Sequence, residues 1–205
     1  MGYSTDFIGH IDIAPALNDA EIGYLSAFRL SRRFDRPGGP YDVPGNPFAE
    51  GDDSFDTDRY NRTAPGQPQL WCQWEVCWDG CCLAYDGGEK FYAPIPWLRY
   101  LVDHFLKPGA VAARSGDDRF KDFTFDHRLD GMVVGCRRDN KELFAISVSA
   151  NRIRQRVLRP ADPRYADWAP LPYELAKDVE EEMRPRTRRR GRKATLVAIS
   201  GDDAS

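Results

Sequence analysis

The chain has 205 residues, of which 41% are hydrophobic and 30% charged, enough for one domain with a packed core. It contains no run of about 18 apolar residues, which excludes a membrane-spanning helix, and its mean hydropathy of −0.60 predicts a soluble protein. The first residues lack the basic head and apolar body of a secretory signal, so we expect a cytoplasmic protein.

Charge is unevenly distributed along the chain. The 29 basic and 32 acidic residues give a net charge of −3, but residues 184–193 hold seven basic residues and no acidic one. The rest of the chain therefore has 22 basic against 32 acidic residues. This composition does not indicate a general polyanion binder. The basic segment is either a local phosphate-binding arm or folds back onto the acidic surface of the same chain.

The patterns predict alternating strands and helices in chain order. A strand covers 7–13, and Asn18 with Glu21 three residues later forms a capping box that begins a helix reaching about residue 33. Proline–glycine clusters make 34–69 a long irregular loop. Asp79 and Gly80 form a hairpin turn between strands at 71–76 and 82–85. Next come a helix over 94–106, strands over 131–136, 143–149 and 151–158, an acidic helix over 171–183, and a short strand or tail over 195–199.

This order of elements predicts an α+β protein with the ferredoxin-like, or split βαβ, arrangement. An antiparallel sheet would carry the helices at 18–33 and 94–106 on one face. Residues 1–160 would form this core domain, and 161–205 would add a C-terminal helix, the basic segment and a short strand or tail. A four- or five-stranded sheet leaves its second face bare, so we expect a homodimer or cover from the C-terminal third.

Cysteine spacing gives no metal-binding pattern. Five cysteines in a chain expected in a reducing compartment predict no disulfide framework. Four of them are close in sequence, at Cys72, Cys77, Cys81 and Cys82. Their spacing differs from the paired knuckles of structural zinc sites, and alternation along a hairpin sends neighbouring side chains to opposite faces. We therefore predict buried thiols, no metal site and no cofactor.

Arginines alternate along the last predicted strand of the core domain. Arg152, Arg154 and Arg156 share one face of that strand, about 7 Å apart, close to the spacing of nucleic-acid phosphates. Arginine forks match phosphate oxygens better than lysine does. The other predicted ligand-binding arginines lie in the basic segment, at Arg188, Arg189 and Arg190. The alternative is internal pairing with the acidic helix, through Asp178, Glu180, Glu181 and Glu182.

Aromatic side chains are dense between residues 71 and 97. Trp71 and Trp74 would face opposite sides of one strand, so at least one would lie off the core. This makes Trp74 a candidate for stacking against a base. The signature of RNA-recognition modules is absent, and core packing is the alternative for most of these rings.

A candidate catalytic group follows the first hairpin. Asp86, Glu89 and Lys90 lie on a double-glycine turn that is expected to open a helix. General acid–base chemistry needs such titratable groups held at one site. The alternative is structural, with Glu89 capping the helix N-terminus. The sequence contains no nucleophile elbow, no phosphate-binding Gly-Lys loop and no His-x-x-x-His pair.

Several short motifs stand out as a set. They are residues 2–7, Trp71-Cys72-Gln73-Trp74, residues 86–92 and residues 97–101, followed by Leu129, Gly131, Val148, Asn151 and Ile153. Over roughly residues 2–28 and 70–153 the chain resembles a family of short uncharacterised proteins from bacterial and bacteriophage genomes. It departs from that family at Tyr85, where the family has Trp, and at Pro96, where the family has an acidic residue. No activity is attached to the family, so the resemblance implies no catalytic role.

The absence of a recognisable catalytic motif favours a binding protein over an enzyme. The predicted function is recognition of a phosphate-bearing ligand, nucleic acid or nucleotide, through the arginine-rich surfaces. Two alternatives stay open. One is a small enzyme with its site at 86–90, and the other is a phage- or prophage-related factor that binds another protein.

Overall fold

A computed structural model describes residues 3–44 and 57–162. The helices are α1 (Asp19–Leu30), the single turn α2 (Thr57–Tyr60) and α3 (Pro94–Leu101), which continues as a π-helical turn over Val102–Leu106. The strands are β1 (Thr5–Ala14), β2 (Trp74–Val76), β3 (Cys82–Tyr85), β4 (Arg128–Arg137), β5 (Leu143–Ser149) and β6 (Arg152–Arg159). No helix among the described residues is long and apolar enough to span a bilayer. The elements predicted over 171–183 and 195–199 lie outside the described residues.

The six strands form one antiparallel sheet in the order β2-β3-β1-β4-β5-β6. The predicted α+β class is confirmed, and so is the antiparallel pairing of the first hairpin. The sheet is larger than the four or five strands expected. Strand β1 is central because it pairs with two partners, so that Ile11 lies opposite both Leu83 and Gly131.

One face of the sheet carries the hydrophobic core. Its fully buried strand residues are Ile11, Leu83, Leu129, Val133 and Ile146. Both longer helices contribute to the same core, through Leu25 and Phe28 of α1 and Trp97, Leu98 and Leu101 of α3. The rings of Phe28 and Trp97 meet edge to face at 5.9 Å. Each such side chain stabilises the fold by about 1.5–3 kcal/mol when it leaves water.

Helix α1 begins where the sequence predicts and ends earlier. The Asn18 side chain accepts a hydrogen bond from the Glu21 N–H, and the Glu21 carboxylate accepts one from the Asn18 N–H, so the predicted capping box is confirmed. The helix stops at Leu30, three residues before the predicted end, because Ser31 turns its hydroxyl back onto the Phe28 carbonyl. The chain after it is extended and carries Arg33 into the interior.

The described parts of the 34–69 loop are organised around the buried side chain of Arg33. Its guanidinium donates to the carbonyl oxygens of Pro40 and Asp42 and to the side chain of Gln67. A β-bridge between Phe34 and Thr63 joins the two ends of the loop. These described parts of the loop are mostly irregular, as predicted, and they are fixed to the core.

Candidate functional site

The second face of the sheet is open among the described residues, and it is called the open face below. Paired residues of four neighbouring strands lie side by side on this face. His10 lies opposite Met132, Met132 opposite Ser147, and Ser147 opposite Arg154. Met132 is 54% exposed, and Ile8 on the same face is 64% exposed, whereas Ile11 on the core face is fully buried. These apolar residues of the open face are therefore accessible to solvent, whereas the core residues of the other face are not.

The predicted arginines lie on this open face, along the edge strand β6. Arg152, Arg154 and Arg156 are all exposed, and they lie opposite Ser149, Ser147 and Ala145 of β5. The prediction that the three share one face is confirmed. They are called the arginine row below. Within residues 3–44 and 57–162, no hydrogen bond or ion pair occupies their guanidinium groups.

A shallow depression lies beside the arginine row. It has a volume of about 340 Å³ and is lined by Ser147, Ser149, Ala150, Arg152 and Arg154. Hydroxyl and guanidinium groups both donate hydrogen bonds, and the guanidinium also carries a fixed positive charge. The depression therefore has the donors that an anionic oxygen requires.

Other charges on the open face are already paired. Arg138 binds Asp6 at 2.6 Å, and Arg128 binds Asp130 at 2.7 Å. The Ala150 N–H and the Arg128 guanidinium donate to the Asp130 carboxylate and lower its pKa, so it stays ionised beside its own cation. The arginine row is the part of this face whose positive charge has no such partner among the described residues.

Asp86, the first residue of the predicted catalytic group, forms an ion pair and a hydrogen bond within the fold. Asp86 accepts from Arg29 at 2.8 Å with one carboxylate oxygen and from the Gly88 N–H with the other. Glu89 and Lys90 are exposed on the turn that follows. The helix does not open here but begins at Pro94, where Ala93 is the N-cap and supplies no side-chain hydrogen bond. The expectation that this turn opens a helix is wrong, and Asp86 is explained as a structural residue.

The remaining predicted ligand-binding residues are not on the described open face. Trp74 is 1% exposed and lies in the core, where its Nε1–H donates to the Pro94 carbonyl at 2.7 Å. It therefore offers no free ring face for stacking. Arg188, Arg189 and Arg190 lie outside the described residues, as do the acidic residues that could pair with the arginine row.

Three of the clustered cysteines come together instead of separating. The Sγ atoms of Cys77, Cys81 and Cys82 all lie within 4.8 Å of one another. The predicted alternation fails because Cys77 and Cys81 belong to the turn, since β2 ends at Val76 and β3 begins at Cys82. Cys72 is 2% exposed and is a core residue, as predicted. The prediction of buried thiols is wrong for Cys81, which is exposed, and for Cys77 and Cys82, which are partly exposed.

The sequence patterns do not predict a buried pair formed by Glu21 and His127. The Nε2 atom of His127 lies 3.0 Å from the Glu21 carboxylate, and both side chains are 1% exposed. The Nδ1 atom of His127 faces the Pro15 carbonyl at 2.8 Å, so both ring nitrogens have a polar partner. The same Glu21 oxygen accepts from the N–H and hydroxyl of Thr124. The only sequence signal was the role of Glu21 in the capping box.

We expect acid to weaken the pair of Glu21 and His127. Burial alone would raise the pKa of Glu21, but hydrogen bonds from Asn18, His127 and Thr124 outweigh it, and the pKa lies below the ordinary value of 4.5. The carboxylate therefore stabilises the fold above pH 4.5, and this contribution is lost as the pH falls below 4.5. We expect the difference in unfolding free energy between wild type and Glu21→Gln to narrow between about pH 6 and pH 3. Urea unfolding across that range measures it, and a constant difference would contradict the assignment.

A second cavity, of about 220 Å³, adjoins Phe91 and Tyr92 on the core side of the sheet. Its one arginine, Arg137, lies over the ring of Tyr3 and pairs with Asp139 at 2.7 Å. Its positive charge is therefore balanced locally. This cavity is a weaker anion site than the depression beside the arginine row.

Comparison with known proteins gives no indication of the function of this chain. The resemblance to the bacterial and bacteriophage family stays a prediction. No protein family model, curated protein or solved structure matches the chain.

Proposed function

We propose that the protein binds single-stranded nucleic acid through the arginine row of β6. The observation that carries the proposal is that Arg152, Arg154 and Arg156 are exposed, share one face and have no partner among the described residues. Three cations held in parallel without counter-charges repel one another, and binding of phosphates removes that repulsion.

The length of the arginine row favours a polymer over a single nucleotide. Alternate residues of a strand are about 6.7 Å apart, so the row spans about 13 Å. This distance is longer than one phosphate group but suits three successive phosphates of an extended strand. The hydroxyls of Ser147 and Ser149 lie one strand further in and add donors to the same line.

The open face favours backbone contacts over base recognition. None of its described strand positions holds Phe, Tyr or Trp, so the stacking platform of sheet-based RNA binders is missing there. We therefore expect weak sequence preference and strong dependence on salt. Outside the basic segment at 184–193, the acidic composition of the chain disfavours binding to other surfaces.

We also infer that β1 to β4 with α1 and α3 form a ferredoxin-like unit that β5 and β6 extend. The order β2-β3-β1-β4, the antiparallel pairing and the shared core of the two helices support this inference. In that arrangement the two added strands carry the arginine row beyond the edge of the four-stranded unit.

The binding test uses short fluorescent poly-uridine and poly-thymidine strands with the full chain. Wild type should bind more tightly than about 10⁻⁴ M at low salt, and three phosphate contacts predict a slope of log K against log salt of about −2. The triple variant Arg152→Ala, Arg154→Ala, Arg156→Ala should lose at least about tenfold in affinity and most of that slope. Fluorescence anisotropy at several salt concentrations measures both quantities.

A matched control removes three exposed arginines elsewhere. Arg62, Arg99 and Arg114 are exposed and lie off β6, so replacing them with Ala changes the net charge equally. This control should keep both the affinity and the salt slope. Equal losses in the two triple variants, or wild-type binding weaker than about 10⁻⁴ M at low salt, would overturn the proposal. So would displacement of the strand by an equal concentration of a mononucleotide.

A further inference from the structure

The thiols of Cys77, Cys81 and Cys82 converge at the tip of the first hairpin. The Cys77 and Cys81 sulfurs are 3.6 Å apart, and every pair of the three lies within 4.8 Å. Cys81 is exposed and the other two are partly exposed, so an ion in solution can reach all three. This group is called the thiol cluster below.

The turn holds the thiol cluster in place through backbone hydrogen bonds. The Cys77 N–H donates to the Cys82 carbonyl at 3.0 Å, and the Gly80 N–H donates to the Cys77 carbonyl at 3.0 Å. The turn is also fixed to the chain after β1, because the Leu17 N–H donates to the Gly80 carbonyl. Gly80 has a φ of +70°, and a Cβ there would lie 2.6 Å from the Leu17 carbonyl oxygen. The three sulfurs are thus positioned by the fold, without any contribution from a metal.

The Asp79 carboxylate lies in the same turn and accepts a hydrogen bond from the Cys81 N–H at 3.4 Å. It is not part of the group whose ligand atoms all lie within 4.8 Å of one another. A cation held by the three thiols would therefore take a water molecule as its fourth ligand.

We propose that the thiol cluster binds a thiophilic divalent cation of the zinc class. Zinc takes thiolate sulfurs at about 2.3 Å in a tetrahedron, which places any two sulfurs about 3.8 Å apart. The observed 3.6 Å pair already meets that spacing, and the other pairs lie within 4.8 Å. Three sulfurs and one water molecule satisfy the four-coordinate preference.

Binding is a ligand exchange that involves no change of oxidation state. Each of the three thiols loses its proton to the solvent, and each resulting thiolate forms one bond to the cation. The bound ion would join both ends of the hairpin turn and stiffen it.

The test titrates Co²⁺, followed by Zn²⁺, into the full chain in the presence of a phosphine reductant that leaves the thiols free. We expect one Co²⁺ per chain, with a thiolate-to-cobalt charge-transfer band and the visible bands of a tetrahedral ion. Zn²⁺ should displace it and raise the Tm of the protein. The double variant Cys77→Ser, Cys81→Ser should lose the charge-transfer band and the Tm increase.

Two further variants make the test specific. Cys136→Ala removes a buried thiol on β4 and should leave the cobalt spectrum unchanged. Cys82→Ser should reduce the charge-transfer band and weaken Zn²⁺ binding at least tenfold, because it removes one of the three sulfur ligands. A circular dichroism spectrum shows that each variant is folded. A cobalt spectrum that survives in the double cysteine variant, or no Co²⁺ binding by reduced wild type, would overturn the proposal.

Discussion

Replacing Glu21 with Ala is expected to lower the free energy of unfolding by about 3–5 kcal/mol, because it leaves His127 buried without its anionic partner. The two side chains are 3.0 Å apart and 1% exposed, so the pair is shielded from solvent in the folded protein. The substitution also removes the acceptor of the Thr124 N–H and one half of the α1 capping box. Each of those losses adds to the cost.

Asp19→Ala is the matched control for this substitution. Asp19 lies in the same first turn of α1 and contributes to the same helix dipole, but it is exposed. We expect that variant to lose no more than about 1 kcal/mol. Urea denaturation followed by tryptophan fluorescence gives both values. A loss for Glu21→Ala that is no larger than the loss for Asp19→Ala would show that the buried pair contributes little.

The elements that the sequence predicted well are those whose cause lies within a few residues. The capping box of Asn18 and Glu21, the Asp79-Gly80 turn and the alternation of β5 each act locally, and the structure has all of them. The shared face of the arginine row follows from the two-residue period of one strand for the same reason. Whether the arginine row has a partner depends on every neighbouring element. Only the structure shows that it has none among the described residues.

Features that depend on distant parts of the chain were missed. Glu21 and His127 are 106 residues apart, and the segment before His127 has no regular period because it consists of short 3₁₀ turns. The thiol cluster does not follow from the sequence for a different reason. The two-residue alternation of side chains holds only within a strand, and it does not continue through the turn where Gly80 reverses the chain.

The size of the sheet could not be derived from local patterns either. All six strands have recognisable sequences, but which strand pairs with which depends on contacts between distant residues. Strand β1 pairs with β4 along its whole length, from Thr5 opposite Arg137 to Ala14 opposite Arg128. This long pairing continues into β5 and β6 as a meander, which leaves the arginine row at the edge.

Arg33→Met is expected to lower the free energy of unfolding by about 3 kcal/mol or more, since the arginine is 1% exposed and each of its guanidinium nitrogens donates a hydrogen bond. Its guanidinium donates to the Pro40 and Asp42 carbonyls at 2.6 and 2.9 Å, and to the side chains of Ser31 and Gln67 at 2.7 and 3.1 Å. Burial lowers the pKa of Arg33 to about 10, so the group is still cationic at neutral pH.

Methionine can fill much of the same volume but donates no hydrogen bond, so the substitution leaves these buried acceptors without the guanidinium. The loss should be greatest in the described loop residues around Pro40 and Gln67, which accept hydrogen bonds from Arg33. We expect hydrogen exchange in these residues to accelerate more than exchange in the central strands of the sheet. Arg62→Met, at an exposed position of the same loop, is the control and should change stability by no more than about 0.5 kcal/mol. If both variants unfold at the same urea concentration as wild type, the loop is held by its apolar contacts, and the buried guanidinium is dispensable for stability.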